Sequence, residues 1–307
     1  MSEGYEALRR GAAYLDVSTR GRITAHGRDR ARLLHNLTSN EIKKMTPGSG
    51  CYAFLLSPQG RIQADLNILC FEDHFLLETD PELREKVYQH IRRYIIADQV
   101  ELVDVTAGTS EIALEGPGAA AVLASLNAPN PGADYAHVKW GDATVAVLSI
   151  SGQPGFRVIS SGTGEDMVRQ LAAAGASPAT EEDFRQVRIE NGKPRYGEDI
   201  RENSLPQETQ QMHAVSFTKG CYLGQEIVER IRAQGHVNKK LVRFEMDASE
   251  IPAAGTKLTA GDAEAGEITS SVYSSDSGKV LGMAYVRTPH ANPATELLGG
   301  AARVLVR

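Results

Sequence analysis

The chain has 307 residues, 41% hydrophobic and 23% charged, and a formal net charge of −6, which suits two or three soluble globular domains in the cytoplasm. That charge argues against direct binding to nucleic acid or an anionic membrane. No run approaches the ~20 apolar residues of a membrane helix, and residues 1–10 show no signal peptide. Cysteine occurs three times, at positions 51, 70 and 221, without a C-x-x-C pair. This pattern implies reduced thiols and offers neither a disulfide framework nor a metal or cluster site.

From the N-terminus, residues 22–26 read as a short strand, Gly27 as a turn, and Leu33, Leu34 and Leu37 as a helix face. The same strand–glycine–helix order returns at 111–126 and at 156–171, so three βα units are expected in an α+β layer. None carries a G-x-G-x-x-G fingerprint. Between the first two units, 52–56, 62–70 and 74–78 read as strands of an antiparallel sheet. Cys51 starts one of them and Cys70 packs in another. A helix follows, with Asp80 as N-cap, Pro81 in the first turn, and an apolar face of Leu83, Val87, Ile91, Tyr94 and Ile95.

Residues 128–133 (A-P-N-P-G-A) form a turn-rich connection, and Trp140 is expected to pack at a sheet edge. Thr180 with Asp183 reads as a capping box opening a helix toward Asn191. Phe184, Val187 and Asn191 share one face of it, and Glu190 borders that face as a half-sheltered carboxylate. Residues 192–216 are polar and aperiodic, the usual mark of a functional or disordered segment. They lead into K-G-C-Y-L-G-Q-E-I-V-E-R, residues 219–230, where a helix is expected from Gly224 to a stop at Gly235. Cys221 thus precedes a helix N-terminus and follows Lys219 by two residues. Both favour a thiolate, with a pKa below the ~8.5 of a free thiol. The same residues also fit a small packed thiol at a tight turn. Beyond Val237, short strands separated by glycines read as a small β-barrel.

The string at 219–230 resembles the signature of the YgfZ-type folate-binding proteins, a branch of the superfamily that includes the glycine-cleavage T-protein, an aminomethyltransferase. R-I-E-N-G-K-P-R-Y-G (188–197), L-P-Q-E (205–208), G-R-I-Q-A-D-L (60–66), G-E-I-T-S-S from Gly266 and A-Y-V-R from Ala284 resemble further segments of that superfamily, so the likeness covers nearly the whole chain. It implies an α+β, three-domain aminomethyltransferase-like fold around a central opening, with a C-terminal β-barrel. Its expected parts are a discontinuous folate-binding domain (1–46 and 142–236), a middle α+β domain (47–141) and the barrel (237–307).

The resemblance implies tetrahydrofolate or another reduced folate as cofactor, held between the first two domains. It also implies a role in assembly or repair of iron–sulfur proteins, including radical enzymes that modify tRNA, with iron–sulfur client or assembly proteins as partners. By motif match, Glu190 would accept the paired N–H groups of the pterin edge. Arg188, Arg195, Lys219 and Arg230 are the candidates for the anionic glutamyl tail. Tyr222, Gln225 and Glu226 of the signature complete the expected cofactor contacts, and Cys221 with Lys219 forms the expected catalytic pair; no metal ligands are expected.

Aminomethyltransferases also carry a middle-domain aspartate at a helix start after an N-A pair. Here E-T-D-P-E-L-R-E-K-V-Y (78–88) lacks the pair, and the aspartate position falls near Lys86 or Val87. Asp80 reads better as a helix cap. The expected function is therefore a folate-binding accessory factor without glycine-cleavage activity, and the alternative is a folate-dependent aminomethyltransferase.

Overall fold

The computed structural model describes residues 2–248 and 250–307. Helix α1 (Glu3–Arg10) starts at Ser2, whose hydroxyl accepts from the Tyr5 N–H, and its acidic first turn and basic last turn complement the helix dipole. The path continues through β1 (Ala13–Asp16), β2 (Gly21–His26), α2 (Arg30–Leu37), β3 (Gly50–Leu56), β4 (Ile62–Cys70) and β5 (His74–Thr79). Then come α3 (Arg84–Arg92), β6 (Glu101–Asp104), β7 (Thr109–Glu115), α4 (Ala119–Ser125), β8 (His137–Trp140), β9 (Ala143–Ala146) and β10 (Gly155–Ser161). Helix α5 (Glu165–Ala173), β11 (Ser177–Pro178), α6 (Glu181–Glu190), α7 (Pro206–Thr209) and α8 (Gln225–Gln234) precede the last unit. That unit holds β12 (Lys239–Met246), β13 (Lys257–Ala260), β14 (Ala263–Ser274), β15 (Lys279–Arg287), β16 (Glu296–Gly299) and β17 (Ala302–Val306).

These strands build three layers: a sheet of order β11-β1-β7-β10-β9-β8, a second of order β3-β4-β5-β2-β6, and a closed barrel β12-β15-β14-β13-β16-β17. The three-domain α+β architecture with a C-terminal barrel is the one expected. Each βα unit forms, but β7 and β10 pair antiparallel in the first sheet while β2 lies in the second. Among the described residues no helix is long and apolar enough to cross a membrane.

The strands divide elsewhere than at residues 46 and 141. The chain leaves the first sheet after β1 and enters the second at β2, and it returns at β7. Residues 109–141 therefore belong with the first sheet, and 21–26 with the second. No glycine-rich linker marks these crossings; a buried arginine does. Arg22 is fully buried between the sheets, donates to the carbonyls of Ser18, Arg20, Thr106 and Thr109, and pairs with Glu111 at 3.0 Å. Residues 196–228 also belong with the second sheet: Tyr196, Ile200, Val215, Tyr222 and Val228 share one core with Phe54 and Leu66.

Helix α8 runs between glycine caps at Gly224 and Gly235, both in the left-handed region as the sequence implies. Gly224 sits against the β3–β4 turn, where a Cβ would come within 2.6 Å of the Ser57 carbonyl oxygen. Only glycine allows this approach.

Candidate active site in the central cavity

A cavity of about 820 Å³ opens where the two sheets meet the 188–195 segment. Strand β4 supplies its floor. Ile62, Ala64, Leu66 and Ile68 are buried on the core face, so the alternation turns Gln63, Asp65 and Asn67 to the other face. Asp65 and Asn67 line the cavity, joined by Tyr52 of β3 and by Arg20 and Asp80 at the sheet's end. The Tyr52 hydroxyl donates to Asp65 Oδ2 at 2.7 Å, and its ring stacks on His213 at 5.3 Å.

Two carboxylates here live in different surroundings. Burial, together with the nearby charge of Asp80, pushes the Asp65 carboxyl up to about 7; the Tyr52 hydrogen bond opposes this. Asp80 is paired on both sides, with Arg20 and with Arg195 Nε at 3.1 Å. Burial disfavours charge on Arg20, but Glu78 and Asp80 outweigh it and raise its pKa further. Asp80 does stand at the N-cap position of the turn Pro81–Leu83, as expected, yet its side chain makes no capping bond. Its carboxylate serves the cavity instead. A carboxyl poised near neutrality beside one paired to two arginines is an arrangement suited to acid–base chemistry.

The residues anticipated from the sequence scatter more widely. Arg195 and Arg188 line the cavity. Arg188 is almost wholly buried, and its terminal nitrogens are engaged by the Lys193 carbonyl at 2.7 Å, by Asp199 at 2.7 Å and by Glu198. Its Nε remains a buried donor with no partner. Glu190 does not line the cavity. Its carboxylate accepts from the Tyr5 hydroxyl at 3.0 and 3.1 Å, and Arg9 stands 3.8 Å away. Burial and this carboxylate push the Tyr5 hydroxyl well above its usual range. The Glu190→Gln variant is accordingly expected to lose about 1 kcal/mol of stability in urea unfolding, with folate affinity unchanged by calorimetry.

Lys219 is buried, and its ammonium donates to the carbonyls of His35, Thr38 and Asn40 at 2.6, 2.6 and 2.7 Å. It caps the C-terminal end of α2, where carbonyls lack helical partners. It therefore does not serve as the cation activating Cys221, contrary to expectation: its nitrogen is committed to backbone oxygens, and burial pulls its pKa down to about 7. Lys219→Met would strand three carbonyls, and chemical unfolding should show a loss of about 2 kcal/mol. Tyr222 is buried with its ring 4.8 Å from that ammonium. Cys221 is exposed, as are Glu226 and Arg230, which pair with each other at 2.7 Å along α8. These residues and Gln225 lie outside the cavity, because α8 packs on the back of the β3–β4 hairpin.

Residues 1–219 match the GCVT N-terminal domain, and residues 239–302 match the glycine cleavage T-protein C-terminal barrel domain. The chain belongs to the GCVT family. An aminomethyltransferase of Rubrobacter xylanophilus is 32% identical over 99% of this chain and 81% of its own length. A putative chloroplastic transferase of Arabidopsis thaliana is 27% identical, over 94% of this chain and 68% of its own. The crystal structure of the glycine cleavage system aminomethyltransferase T from Bartonella henselae superposes with a TM-score of 0.91, covering 99% of this chain and 87% of that one, at 19% identity. This last likeness gives the GCVT fold to the whole chain.

Proposed function

We propose that the central cavity binds tetrahydrofolate or another reduced folate and serves a one-carbon transfer of the aminomethyltransferase kind, with Asp65 giving and taking the proton. The observation that carries this reading is Asp65 itself: a cavity-facing carboxyl near pKa 7, held by Tyr52 and set beside the arginine-paired Asp80. The cavity fits such a cofactor. Its volume lies in the range of small-molecule sites, Tyr52 and His213 offer a stacked aromatic wall, and the unpartnered Arg188 Nε offers a donor to an acceptor atom. Lys193 and Arg195, also at its wall, supply positive charge for an anionic tail. When bound, a reduced folate supplies nitrogen atoms that accept a one-carbon unit.

The sequence argued against transfer because no aspartate stands near Lys86. Lys86 lies on α3 and pairs with Glu202 at 3.3 Å, away from the cavity. The cavity draws Asp65 and Asp80, with exposed Asp134, from other parts of the chain, so a carboxylate near Lys86 is not needed there. The relatives named aminomethyltransferase support the same reading. The test is tetrahydrofolate-dependent release of ammonia from an aminomethyl-lipoyl carrier protein, with titration calorimetry of tetrahydrofolate alongside. Ammonia release well above background is expected; folate binding with no release would move the conclusion to the second reading.

That second reading is the YgfZ-type accessory factor for iron–sulfur proteins, and it is favoured by one observation. Cys221 of the K-G-C-Y-L-G-Q-E string is the exposed thiol, whereas burial pushes the Cys51 thiol up to about 12 and raises that of Cys70. Cys221 should therefore be alkylated at pH 8 at least about ten-fold faster than the other two, as read by peptide mass mapping. Loss of iron–sulfur enzyme activities in a deletion strain complemented with Cys221→Ser would support a role for the thiol; full rescue would remove it.

A further inference from the structure

We propose that His26, Asp73 and His74 form a site for one divalent transition-metal ion of the zinc, nickel or copper class. His26 ends β2 and His74 opens β5, and the antiparallel register sets the two directly opposite each other. Asp73 belongs to the turn between β4 and β5. The three side chains each present a ligand atom, and these atoms lie within 4.8 Å of one another. Asp73 Oδ1 and His74 Nδ1 already stand 2.7 Å apart, so an ion takes the place of the proton they share. Donors around a tetrahedral ion with bonds of about 2.1 Å are roughly 3.4 Å apart. Closing the site then asks for small side-chain adjustments and no movement of the strands.

The surroundings hold the two rings in place. Phe71 lies flat on His74, with centroids 4.5 Å apart and 6° between planes, and His26 stacks on His74 at 5.1 Å. His26 Nε2 is 3.0 Å from the Thr24 hydroxyl, which itself donates to the Val103 carbonyl at 3.4 Å. Thr24 thus accepts from Nε2–H, which leaves His26 Nδ1 with its lone pair free for a metal. Both histidines are half-buried and Asp73 is exposed, so the remaining coordination positions fall to water. Two imidazoles and one carboxylate suit zinc, nickel or copper; magnesium and calcium prefer oxygen donors alone. The cluster sits at the end of β5 opposite Asp80, so its ion is independent of the cavity chemistry.

The experiment is calorimetric titration of the full chain with zinc chloride in a Cys221→Ser background, which removes the exposed thiol as a competing ligand. One ion per chain is expected, bound at least about ten-fold more weakly by His26→Gln and by His74→Gln. Thermal unfolding checks that these variants fold; if one does not, Asp73→Asn, at an exposed position, takes its place. Absence of saturable zinc binding, or affinity unchanged in the variants, overturns the site.

Discussion

Asp65→Asn is expected to lower the turnover of the folate-dependent transfer by about 10²–10³-fold, the range of a lost general acid–base group, while tetrahydrofolate affinity changes little. The amide keeps the size and the Tyr52 contact but holds no exchangeable proton near neutrality. A uniform-binding role would instead raise KM and leave kcat intact, so the split between the two decides the assignment. The same variant carries a stability signature with a defined sign. The folded Asp65 carboxyl titrates near 7, above its ordinary range, because it is buried beside Asp80. The native state therefore holds a proton that the unfolded chain releases between pH 4 and 7. The stability this contributes is complete below about pH 4 and is lost as pH rises through 7. Asn removes that dependence. The variant should match the parent at pH 4 and exceed it at pH 8 by about 2 kcal/mol, a figure reduced because one side of the carboxyl faces solvent in the cavity. Urea unfolding of both proteins at the two pH values measures this, and a parent that stays as stable as the variant at pH 8 would place the Asp65 carboxyl in its ordinary range.

Much of the fold is legible in the chain because local signals agree with the tertiary outcome. The alternating or apolar runs at β3, β4 and β5, the Thr180–Asp183 capping box and the glycines bounding α8 all form as read. The site is less legible, for two physical reasons. Alternation along Ile62–Cys70 gives Asp65 and Asn67 a common face, yet whether that face meets water, a neighbouring sheet or a cavity depends on strands from other parts of the chain. Asp80 before Pro81 carries the local chemistry of a helix cap, and only the approach of Arg20 and Arg195 redirects it. Lys219 shows the converse. Two residues from Cys221 in sequence, it uses its long stem to reach the end of α2, so chain proximity does not become electrostatic proximity. The domain cuts fail in the same way, since the crossing between β1 and β2 is secured by Arg22 rather than by a linker composition.

Asp199→Ala is expected to destabilise the protein by about 3 kcal/mol, the cost of removing one of the two carboxylates that pair with a buried cation. Asp199 is fully buried and accepts from four donors: Thr269 and Ser270 hydroxyls at 2.6 Å each, Arg188 at 2.7 Å and the Arg195 N–H at 3.1 Å. Thr269 and Ser270 sit at the irregularity between Ile268 and Ser270 in the β14–β15 pairing, where an extra residue lets two successive side chains reach one acceptor. The carboxylate therefore ties the barrel to the 188–195 segment that walls the cavity. Alanine leaves the Arg188 guanidinium to Glu198 and the Lys193 carbonyl and the Thr269 hydroxyl to the Met283 carbonyl, and it orphans the Ser270 hydroxyl. Asp199→Asn keeps the volume but turns an amide NH₂ toward donors, so it too should be destabilising, by a smaller amount. Urea unfolding midpoints order the three proteins, and an alanine variant within about 1 kcal/mol of the parent would show that the pair is not what holds Arg188. Because Arg188 Nε is an unpartnered donor on a cavity-lining residue, loosening its guanidinium should also weaken tetrahydrofolate binding in the folded fraction, whereas Glu190→Gln should not. That contrast would assign the proposed folate contact of the R-I-E-N-G segment to its arginine, which lines the cavity, and not to its glutamate, which does not.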